Sequence, residues 1–207
     1  MIKASKMYLD QPATLNVASF FGSPRLDGNT TELVDIILSS SHEDGAIVQK
    51  AHLNELELNS CQACDRCRVT KSCFQKDDMQ ALVEMMKDSD VWIIGTPVYW
   101  WGPTSQMKTF IDRWYGVDQS IFQGKSMILV LSMGGSNEYY ARHVMGMFEE
   151  ISNYLGIQLL DTIVATSMKT RNSARESSRL IEQARNLGKY LVQSYLAIEP
   201  NSKKSTA

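Results

Sequence analysis

The chain has 207 residues, enough for one domain with a sizeable core. With 43% hydrophobic and 21% charged residues, it falls outside the collagen-like, disordered and coiled-coil classes. A formal net charge of -2 and the lack of a dense Lys/Arg run argue against a nucleic-acid partner, and no stretch is apolar for long enough to span a bilayer.

Residues 1–14 read as an extension before the first strand. They lack the apolar segment of a secretory signal, so a cytoplasmic location with reduced thiols and no membrane partner is expected. Leu15 to Phe21 is a short apolar run that stops at Gly22, the pattern of a buried parallel strand. Thr30 to Leu38 carries Leu33, Ile36 and Ile37 at helical spacing, and Asn29 before Glu32 suggests a capping box. Ala46 to Leu53 reads as a second, more exposed strand, and the cysteine-rich stretch after it as loop. Asp77 to Lys87 is helical, with Asp77-Asp78 placed at its start where the dipole favours negative charge.

Val91 to Gly95 is the third strand and Thr104 to Tyr115 a helix, with Met107, Phe110, Ile111 and Trp114 on one face. On that helix Lys108 and Asp112 are spaced as a surface pair, and Arg113 reads as a packing or subunit-contact residue. Ser126 to Met133 is the fourth strand, Tyr139 to Leu155 a helix ending at Gly156, Ile157 to Ala165 the fifth strand and Ala174 to Tyr195 the last helix. Residues 198–207 form a polar tail. Strands alternating with helices predict one α/β domain over residues 15–197, a doubly wound five-stranded parallel sheet with helices on both faces. Ligands of such sheets bind outside the carboxyl ends of the strands, at the switch in strand order.

Three loops at that edge are unusual. The loop Gly22–Thr31 offers Ser23, Arg25, Gly28, Asn29 and Thr30 at the start of a helix, where free N–H groups and the dipole suit a phosphate. A plain βα turn with a good cap is the other reading. The motifs G-x-G-x-x-G and G-x-x-x-x-G-K-[ST] are both absent. After the third strand come Pro97, Val98, Tyr99, Trp100, Trp101 and Gly102, an aromatic loop on which a flat conjugated ring can stack. Those aromatics equally suit burial against the core or a second subunit. After the fourth strand Met133, Gly134 and Gly135 allow close backbone approach.

Cys61, Cys64, Cys67 and Cys73 follow the spacing C-x2-C-x2-C-x5-C, a thiol set that can wrap an iron–sulfur cube. Zinc sites more often use two separated C-x2-C pairs. Phe74 stands where ferredoxin runs carry proline. The isolated His42, His52 and His143 suggest neither a ligand nor a base.

The blocks GSPRLDGNTTEL and DDMQALVEMMKDSDVWIIGTPVYWWGPTSQMKTFIDRW, with the Gly134-Gly135 loop, resemble the NADPH-dependent FMN reductase branch of the flavodoxin-like superfamily. The resemblance spans roughly residues 15–165. It implies a flavodoxin-like fold and FMN as cofactor, with Ser23, Arg25, Gly28, Asn29 and Thr30 on the phosphate. Residues 97–102 would flank the isoalloxazine and Gly134-Gly135 would close over it. The implied activity is oxidoreduction from NAD(P)H to a small acceptor such as a quinone or flavin, or to a redox protein, without a catalytic acid or base. The cysteine motif is similar to that of the iron–sulfur flavoproteins, which implies a [4Fe-4S] cluster on Cys61, Cys64, Cys67 and Cys73, beside this chain's flavin or a neighbour's. The alternative is that the cysteines hold no cluster. A homodimer or homotetramer with Trp100-Trp101 near an interface is also expected.

Overall fold

The computed structural model describes residues 14–202. Five parallel strands form one sheet: β1 (Asn16–Phe21), β2 (Ile47–His52), β3 (Val91–Pro97), β4 (Ser126–Ser132) and β5 (Gln158–Ala165). Their order is β2-β1-β3-β4-β5, so the chain reverses its direction of winding between β1 and β3. The interior strands are predominantly apolar because helices cover both faces. Met127 through Leu131 of β4 are five consecutive buried residues.

The helices are α1 (Asn29–Glu43), α2 (Arg66–Thr70), α3 (Met79–Asp88), α4 (Ser105–Asp112), α5 (Arg142–Leu155) and α6 (Ser178–Ser202). On one face α1 and α6 bury Leu33, Ile37, Leu38, Leu180, Leu187 and Leu191 against β1, β3 and β4. Each such side chain contributes ~1.5–3 kcal/mol on leaving water. The two helices pack so closely that a Cβ on Gly188 would lie 2.4 Å from the Ile37 carbonyl oxygen. Polar bonds tie the same seam: Ser40 Oγ donates to the Arg185 carbonyl and Ser41 Oγ to that of Gly188. On the other face α3, α4 and α5 cover Trp92, Ile94, Leu129 and Leu131.

Several elements depart from the sequence reading in detail. The cysteine stretch is not all loop, since α2 lies within it. The helix expected over Thr104 to Tyr115 is α4 followed by a tighter 3-10 turn, Arg113–Gly116. Helix α6 begins later than expected and continues through Ser202, into the stretch read as tail. The extension over residues 1–13 and the end of the tail, 203–207, lie outside the described residues. Helix α5 stops at Gly156, whose φ of +73° is the left-handed closing conformation that glycine adopts without strain. No helix among the described residues is long and apolar enough to cross a membrane.

Candidate functional site

The switch between β1 and β3 is built from buried hydroxyls. Thr104 Oγ1 donates to the Gly22 carbonyl at 2.6 Å and accepts from Met107 N, capping α4. Thr96 Oγ1 accepts from Thr104 N at 3.1 Å. These bonds fasten the loop after β1 to the loop after β3. Gly22 is needed at this junction, because a Cβ there would stand 2.8 Å from that of Met107.

Beyond Gly22 the chain curls round Ser23, whose hydroxyl donates to the Arg25 carbonyl and accepts from Arg25 N. Thr31 Oγ1 donates to the same carbonyl at 2.9 Å. The curl leaves the Arg25 side chain exposed and brings Gly28 to the N-cap of α1. A Cβ on Gly28 would press into the curl, 3.3 Å from Arg25 Cβ and 3.5 Å from Ser23 Oγ. The first-turn N–H groups of Asn29, Thr30 and Thr31 have no acceptor within the helix, as at any helix start, and lie at the positive end of the dipole. Thr30 Oγ1 lies 2.6 Å from Ser132 Oγ, which joins α1 to the end of β4.

One expectation at this loop is corrected. Asn29 forms no capping box: the cap is Gly28, and no side chain bonds there. The Asn29 carboxamide instead donates to the Thr170 carbonyl at 2.7 Å and accepts from Ala174 N at 2.8 Å. Glu32 turns outward to a two-bond pair with Arg175. Asn29 therefore supports the loop after β5 through one amide hydrogen and its carbonyl oxygen.

The aromatic loop is a two-residue hairpin turn. Tyr99 and Gly102 exchange main-chain hydrogen bonds of 2.9 and 3.0 Å, and between them Trp100 and Trp101 have φ of +47° and +61°. Turns of this shape usually carry Asn-Gly, because a side chain in left-handed conformation costs ~1–2 kcal/mol. Here two tryptophans occupy it, and Trp100 is 91% exposed. Neither indole is buried in the core, so the packing alternative fails within this chain. Strain of this kind is characteristic of ligand clamps. Trp100, Trp101, Val98, Met133, Gly134 and Gly135 line a cleft of 230 Å³ together with Tyr140. The sequence reading missed Tyr140 and Ser132; the latter is the final residue of β4, a position that in such sheets faces the ligand edge.

All four cysteines line a second cavity of 370 Å³ with Arg113, Tyr115 and Gly116. The thiols are free, with Cys61 and Cys64 exposed. Among the described residues no three of His, Cys, Asp and Glu converge closely enough for a single metal ion. The loop is held in an unusual shape: Ala63, Asp65 and Lys71 are all left-handed, with φ of 49°, 57° and 58°. Arg66 of α2 lies over the Phe74 ring at 4.5 Å.

At the base of this loop is a buried ion pair that the sequence reading assigned to other roles. Arg113 and Asp77 have side chains only 1% and 2% exposed. They share bonds of 2.5 and 3.0 Å, and Arg113 also donates to the Asn59 carbonyl at 2.7 Å and to Cys73 Sγ at 3.5 Å. Burial works against both charges, but the Asp77 hydrogen bond and its field keep the guanidinium above its ordinary pKa. The bonds from Arg113, Asn59 N and Met79 N likewise hold the Asp77 carboxyl below the usual carboxylate range. One signal was available: Arg113 follows Phe110 by three residues, on the buried side of its helix, where an arginine requires a carboxylate. Lys108 and Asp112 do form the expected surface pair.

The two cavities share no lining residue. Thr104 at the start of α4 touches the loop after β1, whereas Arg113 beyond its end touches Cys73. The intervening eight-residue helix spans about 12 Å. The cysteines are thus not brought into this chain's own aromatic cleft.

A parallel sheet of this order, with an open aromatic cleft at the carboxyl ends of β3 and β4, defines a flavodoxin-like α/β protein. The chain belongs to the NADPH-dependent FMN reductase family, which it matches over residues 15–171. An iron–sulfur flavoprotein of Archaeoglobus fulgidus is 35% identical over 143 residues, 68% of this chain and 60% of that protein. Another, from Methanocaldococcus jannaschii, is 37% identical over 99 residues, 48% of this chain and 51% of that protein. The chain thus spans little more than half the length of these curated relatives. In fold it is similar to an NAD(P)H:quinone oxidoreductase from Methanothermobacter marburgensis, with a TM-score of 0.69 at 18% identity, covering 86% of this chain and 96% of that one.

Proposed function

We propose that the protein is an FMN-dependent oxidoreductase that takes electrons from NAD(P)H and passes them to a small acceptor, such as a quinone or flavin, or to a redox protein. The observation that carries this reading is the strained Trp100-Trp101 turn facing the Gly134-Gly135 loop across an open cleft. The donors fit FMN. Arg25 and the first-turn N–H groups of Asn29, Thr30 and Thr31 would bind the phosphate beside one helix start, with Ser23 shaping the loop. Gly134 adds open backbone, with no atom within 4 Å of a Cβ built on it. FMN would accept a hydride from a nicotinamide and release electrons singly or in pairs. The chain's part is to bind the phosphate, hold the ring between the aromatic turn and Gly134-Gly135, and leave one ring face open.

A second reading, an iron–sulfur flavoprotein exchanging electrons with ferredoxin-like proteins, is favoured by the cysteine cavity. Four soft thiols around one space suit a [4Fe-4S] cluster, with Cys61, Cys64, Cys67 and Cys73 as ligands. Such a cluster would exchange electrons with this chain's flavin or, in a homodimer or homotetramer, with a neighbouring subunit's. Light scattering tests the assembly, and a monomer at micromolar concentration overturns it. Anaerobic spectra with flavin, iron and sulfide analysis separate the readings. Bleaching by NADPH or NADH supports the first, and bleaching only by a reduced ferredoxin supports the second.

A further inference from the structure

Arg113 lies beside the cysteine cavity with more hydrogen-bonding capacity than the protein uses. Its two terminal nitrogens bond Asp77, Asn59 and Cys73, but Nε–H is buried and has no partner among the described residues. A buried donor left unpaired is uncommon and calls for an acceptor. Arg113 is also among the residues lining the cavity. The remaining contacts fix the loop around it. Asn59 and Asp77 are the two ends of the segment that carries the cysteines, and Asn59 N donates to Asp77 at 3.0 Å. Gly116, three residues beyond Arg113, makes room for Cys73: a Cβ there would lie 2.9 Å from that of Cys73.

We propose that Arg113, oriented by Asp77, is a positioning residue that fixes Cys73 and presents positive charge to the four-thiol cavity, thereby raising the reduction potential of a cluster bound there. This rests on the cluster reading given above. Thiolates and sulfides give such a site negative charge, and hydrogen bonds to its sulfurs are among the features that set its potential. The carboxylate occupies the terminal nitrogens while the thiol receives the third contact, so the guanidinium stands between Asp77 and Cys73. Removing both charges of the pair therefore takes away the nearer, positive one from the sulfur's point of view. An added electron is then less well stabilised.

The test uses the full chain, anaerobically reconstituted with iron and sulfide, as wild type, Arg113→Lys, and the double variant Arg113→Gln/Asp77→Asn. The double variant leaves no unpaired buried charge, which limits the destabilisation, and Arg113→Lys keeps the charge on a long side chain. Iron and sulfide content and the cluster's midpoint potential are measured for each. The proposal expects the double variant to load with cluster at a potential below wild type, and Arg113→Lys to restore most of the difference. A merely structural role would change iron content without moving the potential of the clusters that form. Fully loaded variants with the wild-type potential overturn the proposal alone. A wild type that takes up no stoichiometric iron and sulfide overturns the cluster reading and the proposal with it.

Discussion

Asn29 Nδ2 donates to the Thr170 carbonyl at 2.7 Å, so a residue in the first turn of α1 carries the loop that follows β5. With the bond from Ala174 N, one carboxamide holds two residues of that loop, 141 and 145 residues away in sequence. Asn29→Ala is therefore expected to act on stability as well as on flavin. It leaves the Ala174 N–H and the Thr170 carbonyl without their partner, a loss of about 1–3 kcal/mol. Urea unfolding checks this, and an unchanged midpoint would mean the clasp is not maintained in solution.

Trp100 and Trp101 are expected to trade stability for binding. Asparagine adopts the left-handed conformation more readily than tryptophan, and Trp100 is 91% exposed, so little packing is lost at that position. Trp100→Asn should thus raise stability by up to about 1 kcal/mol while weakening FMN. Thermal unfolding of the flavin-free protein and a flavin titration measure the two effects. Lower stability of the variant would show that the turn is not strained.

The two glycines of the loop after β4 are expected to respond differently. An alanine Cβ at Gly134 meets nothing within 4 Å, whereas one at Gly135 would lie 2.8 Å from Tyr140 Cδ2. Gly134→Ala should leave the fold intact and lower FMN affinity, because it adds a methyl to a residue that lines the cleft. Gly135→Ala should displace the Tyr140 ring and lower stability as well. Equal flavin affinity in Gly134→Ala and wild type would remove that loop from the binding site.

Asp77 gives the cysteine loop an acid limit. Its folded carboxyl is held below the usual range, so its contribution is complete above the unfolded value of ~3.9 and is lost as pH falls through the lower, folded value. Asp77→Asn leaves Arg113 buried without its counter-charge and should cost about 3–5 kcal/mol at neutral pH. The variant should also show a shallower loss of stability below pH ~4. An acid limb as steep as that of wild type would contradict the assignment.

The sheet and the position of the site were legible because alternation of apolar runs with helical periods reports burial directly. Val91 to Gly95 and Ser126 to Met133 have no other stable place than inside a parallel sheet. The side-chain partners were not legible. Asn29 has the composition of a cap and a phosphate ligand, but its carboxamide is bound by a segment more than 140 residues away. Asp77 looks like a dipole-favoured helix start until folding brings Arg113 to it. The left-handed tryptophans run against local preference, so turn chemistry alone gives no sign of them. Such local conflicts are expected where a binding site, rather than stability, fixes the conformation.

The central claim is that the Trp100-Trp101 cleft and the Ser23–Thr31 loop hold FMN for reduction by a nicotinamide. The most direct measurement is anaerobic titration of flavin-loaded protein with NADPH and NADH, followed by release and chromatography of the cofactor. The account predicts one FMN per chain, bleached by at least one of the two nicotinamides at a rate that falls in Trp100→Asn and Gly134→Ala. A protein that binds FAD as well as FMN, or whose bound flavin neither nicotinamide reduces, would contradict it.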